Sequence, residues 1–219
     1  MSAPTPTGPL RGLRVLDLTR VLAGPTCTQM LADLGAEVIK IERPGTGDDT
    51  RGFAPPLMPG TKESAYFVGV NRNKHSVTLD IATAQGQELA QALIARCDIL
   101  VENFKVGALA KYGLGYDQLH AKHPGLIYCS ITGFGQTGPY APRPGYDSLI
   151  QAMGGVMSLT ASRTGCRRRW ACRWPICSPG STAASASWPR CATGRPPARA
   201  SRSISGCWTP MSPGWPTRA

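Results

Sequence analysis

The last quarter of the chain contains no aspartate, glutamate, lysine or histidine. All 13 acidic residues lie in residues 1–162 beside 14 lysines and arginines, so this part has a formal charge of only +1. The other ten basic residues are arginines in residues 163–219, and the net charge of +11 therefore belongs to that tail. Clustered arginines attract phosphates, so nucleic-acid binding is an option for the tail alone, and we predict no nucleic-acid partner for residues 1–162.

Long apolar runs are absent as well. No stretch is long enough to cross a bilayer, and the first residues lack the apolar segment of a secretory signal. We therefore expect a cytoplasmic protein with no membrane partner. Cys27, Cys97 and Cys129 stand singly, without a Cys-x-x-Cys pair or histidines at ligand spacing, which favours reduced thiols and predicts no metal site.

Alternation and apolar runs predict five strands in the first 132 residues. They lie at residues 13–18, 37–42, 75–81, 98–104 and 126–132. Helical patterns separate them: one opens at Gly24 and closes at Gly35, and one starts after a Thr83 cap. Weaker helices are predicted at 106–112 and 116–122, and an apolar helix over 146–160.

Strands that alternate with helices predict an α/β fold. We expect a Rossmann-like, mainly parallel sheet with helices on both faces. Ligands of such sheets bind at the carboxyl ends of the strands. The glycine-rich loop at 43–51 and the Gly/Pro-rich loop at 133–145 both follow predicted strands, so both are candidate ligand loops.

The general catalytic motifs are missing, because no Walker loop, GxGxxG, GxSxG or HExxH occurs. Four longer segments are more specific, and in this order they resemble the family III CoA-transferases over nearly all of residues 10–160. The segments are LRVLDLTRVLAGPTCTQMLADLGAEVIKIERPGTGDDTR at 13–51, NRNKHSVTLDI at 71–81, VENFKVGAL at 101–109 and SITGFGQTGPYAPRPGYDSLIQAMGGVMSLT at 130–160.

This resemblance implies a reaction and an assembly. It implies transfer of CoA between an acyl-CoA thioester and a carboxylic acid through a covalent aspartyl intermediate. Coenzyme A and acyl-CoA would be substrates, and no covalently bound cofactor is implied. It also implies a large Rossmann-like domain completed by the C-terminal end of the chain, and two subunits that interlock as a homodimer.

The resemblance also implies a set of CoA-binding residues, carried over by motif. Without it, Arg43 and Lys111 would be surface residues, and Leu79 and Phe104 would be core residues. The implied positions are Leu22, Ala23, Arg43, Leu79, Asp80, Ile81, Ala82, Asn103, Phe104, Lys105, Lys111 and Gly145.

Tyr146 and Asp147 are the implied supporting residues of the catalytic site, where the family segment faces the nucleophilic aspartate. From the residues alone they would be a helix start with an acidic side chain in the first turn. A related branch, the acyl-CoA racemases, has an acid/base histidine at the Tyr146 position. A phenol with a pKa near 10 is a poor proton shuttle, which favours the transferase over the racemase.

The nucleophilic aspartate itself is absent from the sequence. The family would place it at about Pro175/Ile176, but the resemblance ends near Thr160, where the composition changes. If codons are read one register later, residues 170–182 can recode as Gly-Val-Pro-Val-Ala-Asp-Leu-Leu-Thr-Gly-Leu-Tyr, which is the nucleophile segment of the family. We therefore interpret the tail as shifted out of frame between about Ala161 and Gly165, and the enzyme as inactive as written.

Two units follow from this interpretation. Residues 1–162 would be the N-terminal part of a CoA-transferase large domain, so the chain would be a truncated enzyme. Residues 163–219 would be an aberrant Arg/Pro/Trp-rich tail that does not fold, because its periodicity is poor. The alternative left open is an authentic disordered tail whose tryptophans stack on bases of a nucleic acid.

Overall fold

The computed structural model describes residues 7–159 and 201–206, and its centre is one parallel sheet. The sheet order is β3-β2-β1-β4-β5-β6, and every neighbouring pair is parallel. The chain reverses its direction of travel across the sheet between β1 and β4, which is where Rossmann-like folds form a crevice. The strands are β1 (Arg14–Asp17), β2 (Glu37–Glu42), β3 (Lys74–Thr78), β4 (Ile99–Glu102), β5 (Ile127–Thr132) and β6 (Ser201–Gly206).

Helices lie between consecutive strands from β1 to β5, and two more of the described helices follow β5. They are α1 (Ala23–Asp33), α2 (Ala65–Asn71), α3 (Ala84–Ile94), α4 (Tyr116–Lys122), α5 (Asp147–Met153) and α6 (Val156–Leu159), with 3-10 turns at Asp49–Gly52 and Ala110–Tyr112. Within the described ranges, no helix is long and apolar enough to span a bilayer.

The sheet has a hydrophobic core on each face, which confirms the predicted α/β fold. Val15 of β1 points to the face covered by α1, where it packs with Cys27 and Leu31. The next residue, Leu16, points to the opposite face and packs with Ile94 of α3 and Leu119 of α4. This period-two alternation explains why neighbouring positions in the middle of the central strands are both apolar, since both faces of the sheet are buried there.

The structure differs from the predicted elements in three places. The predicted helix over 146–160 is broken at Gly154 and Gly155, because Gly155 has a left-handed φ of +78°. The predicted helix over 106–112 is reduced to a 3-10 turn. Helix α2 was not predicted, because seven residues capped by Ser64 give too short a periodic pattern.

The tail contributes one described element, although we expected it not to fold. Strand β6 lies parallel to β5 at the edge of the sheet, from Ile127 opposite Ser201 to Thr132 opposite Gly206. Pairing of this kind uses main-chain groups and needs no particular side chains, so a weak strand pattern does not prevent it. The remainder of residues 163–219 lies outside the described residues.

A buried network of charges holds three strands and α1 together. Asp17, at the end of β1, is fully buried, and its carboxylate lies 3.1 Å from Nζ of Lys74 at the start of β3. The same carboxylate accepts hydrogen bonds from the hydroxyls of Thr19 (2.5 Å) and Thr28 of α1 (2.6 Å). Burial alone would raise the pKa of Asp17, but Lys74, Lys40 and the two hydroxyls lower this pKa to about 2.

The Asp17→Asn variant tests this network. The change leaves the buried ammonium of Lys74 without its carboxylate, so we expect the free energy of unfolding to fall by about 3 to 5 kcal/mol. Denaturant unfolding of the purified chain measures the loss. The matched control is Glu37→Gln, which removes a 44% exposed partner of Arg14 and should cost less than about 1 kcal/mol. Equal losses in both variants would contradict the role assigned to Asp17.

Candidate functional site

Two adjoining depressions lie along the carboxyl ends of the strands. The first lies over the loops that follow β1, β2, β3 and β4. The second lies over the loops that follow β1, β4 and β5, over Asp49 in the loop after β2, and over the start of α5. Arg20 and Phe104 line both, so the two depressions form one cleft across the crevice between β1 and β4.

Most of the residues that the sequence motifs single out line this cleft. The first depression contains Arg43, Leu79, Asp80, Ile81, Ala82 and Phe104. The second contains Leu22, Ala23, Asn103, Phe104, Lys105, Gly145, Tyr146 and Asp147.

Lys111 lies outside both depressions. Its ammonium is 4.6 Å from the ring centre of Tyr112, and that ring lines the first depression. Pro175 and Ile176, where the missing nucleophile was predicted, lie outside the described residues.

The loops after β1 and β4 are joined by a reciprocal pair of hydrogen bonds. The amide of Arg20 donates to Oδ1 of Asn103 (2.9 Å), and Nδ2 of Asn103 donates to the carbonyl of Arg20 (2.7 Å). The guanidinium of Arg20 also lies over the ring of Phe104, 4.9 Å from its centre. Asn103 therefore fixes the main chain on which the side chain of Arg20 enters the cleft.

The turn between β1 and α1 has an unusual backbone. Val21 has a φ of +70°, a left-handed conformation that is unfavourable for a β-branched residue. Its amide donates to Oδ1 of Asp48 (3.3 Å), and Asp48 forms a buried ion pair of 2.9 Å with Lys40. Burial would raise the pKa of Asp48, but Lys40 and the hydrogen bonds from Thr50 lower this pKa. Asp48 therefore ties the loop after β2 to the turn after β1.

The loop after β2 is braced by a second buried carboxylate. Glu42 accepts two hydrogen bonds of 2.7 Å from Arg51 and one of 2.6 Å from the hydroxyl of Ser76. Burial would raise the pKa of Glu42, but these donors and the amide of Asp48 lower this pKa to about 2. Such a two-pronged guanidinium–carboxylate pair is rigid as well as strong, so the loop keeps one shape.

Asp147 is buried beneath the second depression. Its Oδ2 accepts from Nε2 of Gln151 (3.0 Å), while its Oδ1 is buried and has no hydrogen-bond partner in the described part of the chain. The same holds for the hydroxyl of Thr132, at the end of β5. Tyr146, by contrast, is 71% exposed. This end of the cleft therefore offers an unsatisfied carboxylate oxygen and an unsatisfied hydroxyl group below an accessible phenol.

Two glycines set the position of this segment. Gly133 follows β5 and Gly145 precedes α5, and a Cβ built on Gly133 would lie only 2.3 Å from the Cα of Gly145. The two backbones therefore touch, and the loop between them is closed at its base. This contact places Tyr146 and Asp147 beside the end of β5.

Sequence reasoning missed Arg20, Lys40, Asp48 and Asp49 of this cleft. Lys40 gave the clearest signal, because a lysine in the middle of the apolar strand EVIKIE needs a buried partner. Its partner Asp48 is eight residues further along, in a loop whose path no periodicity encodes. No group of three or more metal-ligating side chains occurs among residues 7–159 and 201–206.

Several known proteins are similar to this chain. It is 53% identical over 157 residues to a succinyl-CoA:glutarate CoA-transferase of Mus musculus, over 72% of this chain and 36% of the relative. It is 50% identical over 166 residues to a succinate–glutarate CoA-transferase of Agrobacterium fabrum, over 74% of this chain and 42% of the relative. The chain thus spans about two fifths of the length of these relatives.

Solved structures give the same picture. A CAIB/BAIF family protein from Brucella suis superposes with a TM-score of 0.83 at 45% identity, over 91% of this chain and 53% of that one. A protein from M. tuberculosis superposes with a TM-score of 0.81 at 36% identity, over 90% of this chain and 54% of that one.

Strand order, two buried core faces and a cleft at the crevice define an α/β protein of the Rossmann-like class. Within that class, the model of CoA-transferase family III matches residues 10–186. The chain belongs to CoA-transferase family III, as its sequence motifs predicted. The family model matches as far as residue 186, whereas we had placed the end of the resemblance near Thr160.

The Gly133→Ala variant tests the glycine contact. The added methyl group would overlap the backbone at Gly145, so we expect a loss of about 1 to 3 kcal/mol and faster amide hydrogen exchange in α5. The control is Gly69→Ala in α2, where a Cβ meets no atom within 4 Å. Alanine is the better helix former, so the control should keep or raise stability. Unchanged exchange in α5 of the Gly133 variant would refute the contact.

Proposed function

We propose that the cleft binds the CoA part of an acyl-CoA thioester for CoA transfer to a carboxylic acid. The observation that carries this proposal is convergence. Residues from all four sequence segments that resemble the family line one cleft at the carboxyl ends of β1 to β5. The named activities of the two relatives above support the same reaction type.

The cleft suits a long ligand with an anionic end and an uncharged end. We assign the phosphates and adenosine of CoA to the first depression, where Arg43 lies beside the apolar side chains of Leu79 and Ile81. The thioester end then extends into the second depression, toward Tyr146 and Asp147. Guanidinium groups recognise phosphates by paired hydrogen bonds, whereas apolar walls accommodate the purine.

The proposed chemistry requires an aspartate nucleophile. Its carboxylate attacks the thioester carbonyl, the carbon–sulfur bond breaks, and an acyl-aspartyl anhydride and CoA thiolate are formed. The thiolate then attacks the aspartyl carbonyl, which releases the first carboxylate and leaves an aspartyl-CoA thioester. The acceptor carboxylate displaces CoA as a second anhydride, and thiolate attack on its acyl carbonyl gives the new acyl-CoA and free aspartate.

Because no aspartate stands near Pro175 or Ile176, we propose that this polypeptide binds CoA without transferring it. The acyl groups of the proposed reaction are dicarboxylic acids. This choice rests on the relatives, whose names include glutarate, mesaconate and citramalate CoA-transferases.

Binding and transfer can be measured separately on the purified chain. Titration calorimetry should detect CoA binding, and Arg43→Ala should weaken it about ten- to hundredfold, because a charged hydrogen bond to phosphate is lost. Incubation with succinyl-CoA and glutarate should give no glutaryl-CoA above the rate without protein.

The matched control is Arg96→Ala. Arg96 is exposed and precedes β4, so it lies at the amino ends of the strands, whereas the cleft lies at their carboxyl ends. Its loss should therefore leave CoA affinity unchanged. Absence of CoA binding by the unaltered chain would sink the proposed function. Efficient acyl transfer would instead show that the nucleophile lies elsewhere.

We also propose that the tail is the family sequence read one register out of frame. The arginine-only charge of residues 163–219 and the recoding of residues 170–182 support this proposal. The competing explanation is an authentic frame, which the extension of the family match to residue 186 favours. Repeated sequencing of the coding DNA across codons 155–180 distinguishes the two explanations. One base more or fewer than in the given sequence, which would restore the family reading frame, supports the shift. The same base sequence in every repeat rules out a sequencing error as its cause.

A further inference from the structure

One acidic side chain, that of Asp49, lies between Arg20 and Arg43 of the cleft. Oδ1 of Asp49 is 2.7 Å from the guanidinium of Arg43, and Oδ2 is 3.9 Å from that of Arg20. Arg43 lines the first depression, Asp49 lines the second, and Arg20 lines both. The carboxylate therefore sits where the two depressions join.

Two of the buried charged groups beside this junction are engaged in ion pairs of their own. Lys40 is paired with Asp48 in a fully buried contact, and Glu42 is held by Arg51. Within residues 7–159, Asp49 is the carboxylate that pairs with Arg20 and Arg43. These two arginines are thus the cations that an external anion can engage in place of the Asp49 carboxylate once that carboxylate is displaced.

The main chain holds Asp49 in this place. Asp48, the preceding residue, caps the 3-10 turn by accepting hydrogen bonds from the amide and hydroxyl of Thr50. Its ion pair with Lys40 anchors the same residue in the core. The carboxylate of Asp49 therefore projects from a fixed backbone, and its side chain is 46% exposed, so a ligand in the cleft can reach it.

From this arrangement we infer that Asp49 is an internal competitor for an anion site formed by Arg20 and Arg43. The ligand class is a diphosphate or phosphate ester. Two guanidinium groups that flank one carboxylate can instead bind two oxygens of one phosphate or two adjacent phosphates. This inference rests on the proposed function, because it assigns the phosphate end of the CoA ligand to Arg20 as well as Arg43. It adds a residue that lowers affinity for that ligand.

The charge of Asp49 determines whether its removal raises or lowers the affinity for anions. A bound phosphate must replace the Asp49 carboxylate at Arg43, and the carboxylate then remains nearby as a like charge. Removing that charge should therefore strengthen anion binding. If Asp49 served instead to align the two guanidinium groups, its removal would weaken binding.

The experiment uses the full chain and inorganic pyrophosphate as the probe, with affinity measured by titration calorimetry at low salt. Asp49→Asn should bind pyrophosphate about tenfold more tightly than the unaltered chain, and Arg20→Ala should bind it about tenfold less tightly. Glu37→Gln is the matched control: it removes an exposed carboxylate paired with Arg14 at the opposite edge of the sheet, and it should change nothing. Asp49→Ser repeats the charge removal with a different side chain.

Weaker or unchanged pyrophosphate binding by both Asp49 variants would overturn the inference. So would an equal gain in Glu37→Gln, because that gain would reflect net charge alone. The unaltered chain is titrated with CoA in parallel. If the chain binds CoA but the Asp49 variants do not change pyrophosphate affinity, the proposed function stands and the role of Asp49 as a competitor is rejected. If the variants bind pyrophosphate more tightly but the chain does not bind CoA, the competitor role stands and the proposed function is rejected.

Discussion

The pairing of Asp17 with Lys74 is the interaction on which the cleft depends. It closes β1 against β3 across the face covered by α1, and it does so where β1 ends and the cleft begins. Lys40 extends the same network, because its ammonium bonds to the carbonyl of Thr19 (2.8 Å) and to Asp48. The loops after β1 and β2 are therefore fixed from below by charges that water does not reach, and the cleft is formed before any ligand arrives.

Rigid support of this kind explains how a strained turn persists. The left-handed backbone of Val21 costs about 1 to 3 kcal/mol in isolation. The hydrogen bond from its amide to Asp48 and the neighbouring bonds of Asn103 offset that cost. The result is a turn that exposes its backbone to the cleft instead of folding back over it.

The sequence predicted the helices and strands that are determined by residues close together along the chain. Strands buried on both faces, the Thr83 cap of α3 and the bounds of α4 all follow from residues within a few positions of each other. The break at Gly154 and the seven-residue α2 depend on packing and were missed. Motifs located most of the cleft, but the contacts of Asp48 with the amide of Val21 and of Asp49 with Arg20 join loops that meet only in the folded chain, so no sequence period could reveal them.

The thiols of Cys27 and Cys129 lie side by side in the core beneath α1, and both are almost completely buried. The neighbouring thiol of Cys129 and burial together raise the pKa of Cys27 well above its usual range. An alkylating reagent reacts with thiolates, and it needs access to them. The rate at which these two cysteines are alkylated therefore reports how often α1 opens away from the sheet.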